Sequence, residues 1–192
     1  DRGEGLRNTI TLLGRRGTGH GPIHWSANFD EVQDFENDIR GPMQGAGFLS
    51  DADWEATSDT LGASKAGLSA DLDALAAYVE SLETFPRAPA QDPDAVAAGE
   101  LVFADAGCAD CHIPPAYTDS AFGDDGVPLL HDVGTMTADS GGRRGGPLPG
   151  LDTPTLRGTQ ASGPWFHDGS AATLAEVIDR HAPATLSAED QT

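Results

Sequence analysis

Only two cysteines occur among the 192 residues, and they stand two apart with a histidine directly behind, in the stretch Cys108-Ala109-Asp110-Cys111-His112. Three chemistries use such a stretch. A redox C-x-x-C belongs beside a βαβ pattern, and none is visible. A structural zinc site needs four ligands, and neither a second C-x-x-C nor an H-x3-5-H is present. In covalent haem attachment both thiols add to the haem vinyl groups and the adjacent histidine becomes the proximal iron ligand. The spacing suits this third chemistry, because a single turn presents both sulfurs to one porphyrin edge. The rest of the chain also calls for a staple. Glycine (24 residues) and proline (13 residues) make up nearly a fifth of it, and apolar residues only 38%. A loop-rich domain of this kind is often held by a cofactor as well as by its own core.

The residues ahead of the cysteines sharpen the haem assignment. Asp92 is a good N-cap and Pro93 a good first helical residue. Val96, Gly99 and Phe103 then share one face. A short helix with a small residue and an aromatic on one stripe, running into C-x-x-C-H, resembles the opening of a class I cytochrome c domain.

A haem iron has a second axial position, which decides between electron transfer and ligand chemistry. The candidates are His131, Met136, His167 and His181. Thr173 and Glu176 form a T-x-x-E capping box. Leu174, Val177, Ile178 and His181 then fall at i, i+3, i+4 and i+7, one inward stripe that ends in an imidazole. His181 is therefore the expected second ligand.

Three segments now carry a resemblance: Thr153–Gly158 (TPTLRG), Gly163–Ser170 (GPWFHDGS) and Thr173–Val177 (TLAEV). Together they resemble the second haem domain of the bacterial di-haem cytochrome c peroxidases, and of relatives that mature quinone cofactors in amine dehydrogenases. Leu130–Gly134 resembles that family's H-N-x-G segment, which places His131 among the cofactor contacts. The resemblance covers about residues 93–190. It implies that His167 lies near the haem edge and propionates, and that Arg157 is a propionate or domain-interface partner. The family's distal ligand stands fourteen residues after the motif histidine and is usually methionine, or tyrosine in the maturation enzymes. Here that position is His181, so the resemblance implies that Met136 is an ordinary loop residue. Two imidazoles imply a saturated, low-spin iron that passes electrons and does not bind peroxide.

The first 88 residues hold no cysteine, yet they echo the second half. Thr9–Gly14 parallels Thr153–Gly158, and Gly21–Trp25 parallels Gly163–His167. Asn28–Glu31 is expected to form a capping box like that of Thr173–Glu176, with Phe29 and Val32 in the places of Leu174 and Val177. Leu68–Asp71 parallels Leu186–Glu189 and opens a Ser69-capped helix with Leu72, Leu75, Ala76, Val79 and Leu82 on one face. The pattern is that of an all-α, loop-rich chain of two class I cytochrome c-like domains. The first spans residues 1–88 without its own C-x-x-C-H, and the second spans 89–192 with one covalent haem. The proline-bearing stretch Phe85–Asp94 is the linker, and the sequence is expected to be a piece of a larger tandem protein. A second haem would then come from upstream sequence, with His20 or His24 as candidate contacts. Trp25 is a candidate relay, standing where the family carries a tryptophan between its two haems. Gly14 replaces an asparagine that helps bind calcium in the family, which argues against a calcium ion, although the carbonyls of Ser162 and Pro164 remain candidate ligands. Residues 139–150 (DSGGRRGGPLPG) are expected to be a flexible loop, its Arg143-Arg144 pair within reach of propionates or a partner.

The formal charge of −20 repels nucleic acid and anionic membranes, because nucleic-acid binding rests on cationic contacts to phosphate. It suits a basic redox partner or a neighbouring haem domain, and leaves oligomerisation open. No apolar run of about 18 residues exists to span a membrane. The opening DRGEGLRNT has no signal-peptide apolar region, so the segment that would direct export is expected to lie outside this sequence. The expected role is an electron carrier, outside the cytoplasm in the periplasm or at the cell surface. The rival expectations are a di-haem peroxidase-type enzyme and a cell-surface or filament protein with a haem module.

Overall fold

A computed structural model describes residues 4–181. The parallel expected at Leu186–Glu189, and the closing helix of the second copy, lie outside the described residues. The described chain is helix- and loop-rich: helices α1 (Phe35–Arg40), α2 (Asp51–Ala56), α3 (Ala70–Glu80), α4 (Pro93–Asp105) and α5 (Leu174–His181), with one ribbon of β1 (Gly142–Arg143) and β2 (Gly146–Pro147).

The first half has a filled core. The Ser69 hydroxyl accepts from the Leu72 amide, starting α3 where its cap was expected. Leu72, Ala76 and Val79 are buried, and the last two pack with Ile23, Phe29 and Val32, flanked by Phe35 and Leu75. Leu82 falls outside the helix, because its amide closes a tight turn onto the Val79 carbonyl. The lone lysine, Lys65, is fully buried, its Nζ 2.6 Å from Asp34 Oδ1. The other oxygen of Asp34 accepts the amides of Asp30 and Glu31, which fixes the approach to α1.

That geometry corrects the expected Asn28–Glu31 box. The box is Glu31–Asp34, three residues later. Asn28 is occupied otherwise: its side chain pairs with His24 Nδ1 at 2.7 Å and donates to Glu4 at 3.0 Å. In the shifted register the internal echo is closer than the sequence implied. Ile23 bridges Phe29 as Trp165 bridges Ala171, and His24 and Phe166 both take positive φ, 72° and 66°. The Asp30 amide reaches Asp34 as the Ala172 amide reaches Glu176. One turn-to-helix unit thus occurs twice.

Residues 139–150 are also corrected, from a flexible loop to a hairpin. Arg144 (φ 49°) and Gly145 (φ 78°) make a two-residue turn with both central residues at positive φ, the twist that suits paired strands. Arg143 donates to the carbonyls of Ser26 and Ala27 at 2.6 and 3.0 Å, and Arg144 pairs with Asp59. The buried Glu4 joins the same cluster, accepting from Ser26, Asn28 and the Arg144 amide.

The halves meet along residues 8–25. Asn8 donates its amide to the His167 carbonyl (2.6 Å) and its side chain to the Pro164 carbonyl (2.5 Å). Asp152 donates its amide to the Trp25 carbonyl at 2.8 Å. Gly21, at φ 97°, lies so close to Ser120 that a Cβ would stand 2.1 Å from the Ser120 carbonyl oxygen, so only glycine fits this approach.

Candidate functional site

The second half is organised around a cavity of about 490 Å³. Helix α4 starts as expected: the Asp92 carboxylate accepts from the Asp94 amide and Pro93 occupies the first turn. The helix ends at Asp105, and Gly107, in a left-handed conformation (φ 74°), turns the chain into the cysteine stretch. A short turn over Cys108–Asp110 follows, closed by the His112 amide on the Cys108 carbonyl at 3.0 Å. Both sulfurs and the imidazole thereby line one cavity.

The expected helix faces line that same space. Gly99, Val102 and Phe103 of α4 border it, as do Leu174, Val177, Ile178 and His181 of α5; Val96 does not, being 55% exposed. Neither helix buries a residue of its own. At the start of α5 the Thr173 hydroxyl accepts from the Glu176 amide, while the Glu176 carboxylate reaches the Ala172 amide, one residue before the expected box partner.

His112 and His181 lie with their ring centres 6.1 Å apart and their planes tilted by 42°. Imidazole nitrogen binds a first-row metal at about 2.0–2.1 Å, and the ring centre lies about 1.2 Å beyond, so two rings sharing one metal stand about 6.4 Å apart centre to centre. The observed separation is close to that value. The Nδ1–H of His112 donates to the Tyr117 carbonyl at 3.1 Å, which leaves Nε2 as the lone-pair nitrogen. Burial lowers the His112 pKa, opposed by the Tyr117 carbonyl and by Asp119. Burial, and then His112, lowers that of His181. Both shifts favour the neutral ring, the form that ligates metal. Phe166 stacks on His181 (6.4 Å, 22°) and carries Arg180 on its ring at 4.7 Å, fixing the end of α5. Burial raises the pKa of both thiols, which are unpaired. A large apolar hollow bordered by two thiols and an adjacent imidazole suits a covalently attached haem, and a second imidazole lines the same space.

The other expected residues fall in several places. His167 is buried at the wall, its Nε2 2.8 Å from the Ser140 hydroxyl and its Nδ1 without a partner among the described residues. His131 also lines the cavity, its Nε2 2.7 Å from Asp119. Ligand atoms of Cys111, Asp119 and His131 lie within 4.8 Å of one another, but a metal there would compete for Cys111. Arg157 lines the cavity and stacks on Phe85, 4.4 Å from the ring centre. Met136 borders neither this cavity nor the second one described next.

A second cavity, of about 360 Å³, lies in the first half and shares with the first a wall that includes Trp25, Arg15 and residues 8–11. His24 lines it and packs on Phe29 and Phe35. His20 does not; it lies edge-on to Phe85, its pKa lowered by burial and then by Arg15 and Arg157. The Trp25 indole donates to the Asn8 carbonyl at 2.9 Å and stands edge-on to His167 at 6.5 Å. The Pro164 carbonyl, a candidate calcium ligand, is taken by Asn8. Sequence reasoning missed Arg15 and Asp152, both buried in the cavity wall; nothing in their local sequence marks them.

No protein-family model matches the chain. It is 32% identical over 144 residues to the gamma subunit of hydrazine synthase from Kuenenia stuttgartiensis, a match covering 56% of this chain and 40% of that one. It is 31% identical over 126 residues to the methylamine utilization protein MauG of Methylophilus methylotrophus, covering 58% of this chain and 35% of the relative. Those matches thus span well under half of the relatives' length. Among solved structures, a MauG-like protein associated with microbial copper homeostasis superposes over 96% of this chain and 70% of its own, with TM-score 0.58 and 20% identity. Kuenenia stuttgartiensis hydrazine synthase superposes over 100% of this chain and 71% of its own, with TM-score 0.51 and 23% identity. The likeness read from the motifs is thus found in both sequence and fold: the chain is similar to MauG-like proteins.

Proposed function

We propose that this chain transfers electrons through one covalently attached c-type haem, tethered by Cys108 and Cys111 and ligated by His112 and His181. The observation that carries it is the 6.1 Å separation of the two ring centres across a cavity that both sulfurs line. The haem supplies a one-electron couple; the chain's residues hold it and set its surroundings. Tyr117 orients His112 through its carbonyl, Phe166 and Arg180 brace His181, and Arg157 stands at the wall as a propionate partner. The acidic surface suits a basic redox partner or a neighbouring haem domain. A covalently attached haem is completed on the exported side of the membrane, so the proposed location is periplasmic or at the cell surface. No helix of the described residues is long and apolar enough to cross a membrane.

A second reading, a di-haem peroxidase-type oxidoreductase, is favoured by the second cavity on the other side of Trp25. In the repeated unit the residue fourteen beyond Trp25 is Ile39, which offers no ligand atom where the other copy has His181. A haem in that cavity would lack the corresponding axial ligand, with Trp25 as the relay between the two sites.

The test is the absorption and electron paramagnetic resonance spectrum of His181→Ala beside the parent. The parent is expected to be low-spin and unmoved by peroxide. The variant is expected to keep its haem but become high-spin and bind small ligands. A variant that stays low-spin would remove His181 from the ligand set.

A further inference from the structure

Asp152 sits in the wall of the larger cavity and takes no part in holding the haem as proposed. Its neighbour Leu151 is paired with His131 through both backbone hydrogen bonds, and its own amide is tied to the Trp25 carbonyl, so its position is fixed. The residue is 4% exposed. One carboxyl oxygen accepts the Ser120 hydroxyl at 2.9 Å; the other is buried without a partner among the described residues. Leaving a buried carboxylate oxygen unpaired is costly, and a bound proton relieves that cost.

The charged groups facing Asp152 come from two sides. Arg15, also 4% exposed, faces it from the first half. Asp119, beside Ser120, faces it as a second carboxylate and is hydrogen-bonded to the partly exposed His131. Burial pushes the Asp152 carboxyl up to about 7; Ser120 and Arg15 oppose the rise, and Asp119 adds to it.

Resting on the haem assignment above, we propose that Asp152 is the redox-linked proton acceptor of the cavity, binding one proton when the site gains one electron and releasing it when the electron leaves. The electron comes from a one-electron donor, which is oxidised as the iron is reduced. The proton comes from solvent, and the net charge of the cavity stays constant. The physics is Coulombic: an added electron in a medium of low dielectric repels an ionised carboxylate and favours its neutral form. The proton affinity of Asp152 is therefore higher in the reduced state than in the oxidised state. Between those two proton affinities, the midpoint potential falls as pH rises.

The test is a mediated spectroelectrochemical titration of the haem-loaded protein from about pH 5 to about 9, the span in which shifted carboxyls and histidines titrate. A pyridine haemochrome spectrum is taken first. If it shows no c-type haem, the haem assignment fails, and with it the premise of this titration. With haem present, the expected slope near neutrality approaches one proton per electron, a tenfold change in equilibrium constant per pH unit or about 59 mV. Asp152→Asn is expected to flatten the slope while leaving the low-spin spectrum unchanged. Ser120→Ala removes a hydrogen bond from the ionised form and is expected to move the sloping region to higher pH, which decides the matter should the Asn variant not fold. A pH-independent potential in the parent, a slope that persists in Asp152→Asn, or a region unmoved in Ser120→Ala would each overturn the proposal.

Discussion

The two halves of the molecule bury their apolar residues in different ways. Around residues 23–82 the chain fills its own core: Ile23, Phe29, Val32, Ala76 and Val79 pack on one another, and Leu72 is fully buried. Around residues 93–181 the equivalent surfaces turn toward a cavity, and α4 and α5 bury nothing of their own. The repeated turn-to-helix unit makes the contrast instructive. Val32 and Leu174 occupy matching places two residues after Asp30 and Ala172, yet Val32 is 2% exposed and Leu174 38%. The same local design thus serves a protein core in one copy and the wall of a cavity in the other.

The contrast is sharpest at Lys65. Its ammonium is fully buried against Asp34, and removing one partner of such a pair leaves the other charge uncompensated. Lys65→Gln is expected to cost about 3–5 kcal/mol in denaturant unfolding of the haem-loaded protein. No single ion pair in the second half is expected to have a comparable effect. A smaller and more discriminating pair is Leu72→Ala and Ile178→Ala. The first deletes a fully buried side chain and should cost about 2–5 kcal/mol with or without haem. The second lines the cavity, so its cost should appear only when haem is bound; equal costs in the haem-free chain would erase the distinction between the halves.

Those features differ in how far the sequence disclosed them. The caps at Asp92, Ser69 and Thr173 were legible because a cap is a local bargain between one side chain and a nearby amide. The C-x-x-C-H stretch is a local pattern for the same reason, and the stripe on α5 that ends in His181 carries the helical period; the structure brings both to one cavity. The hairpin at 142–147 was not. Arg-Arg-Gly-Gly shows no alternation, and Arg144 holds a left-handed turn in a setting where its side chain reaches Asp59 and its amide Glu4. The Asn28 box was placed three residues early because Asn28 is a good cap by type, and only the tertiary contacts to Glu4 and His24 show it otherwise engaged. Asp152 and Arg15 were invisible for a related reason: their burial depends on residues far along the chain, among them Ser120.

The most direct measurement is amide hydrogen exchange on the haem-loaded protein and on a haem-free Cys108→Ser/Cys111→Ser variant. The prediction is that α3 keeps its protection in both, while α4 and α5 are protected only when haem is attached. If α4 and α5 stay as protected as α3 without haem, the second half has a core of its own, and the cavity is not the organising centre of that half.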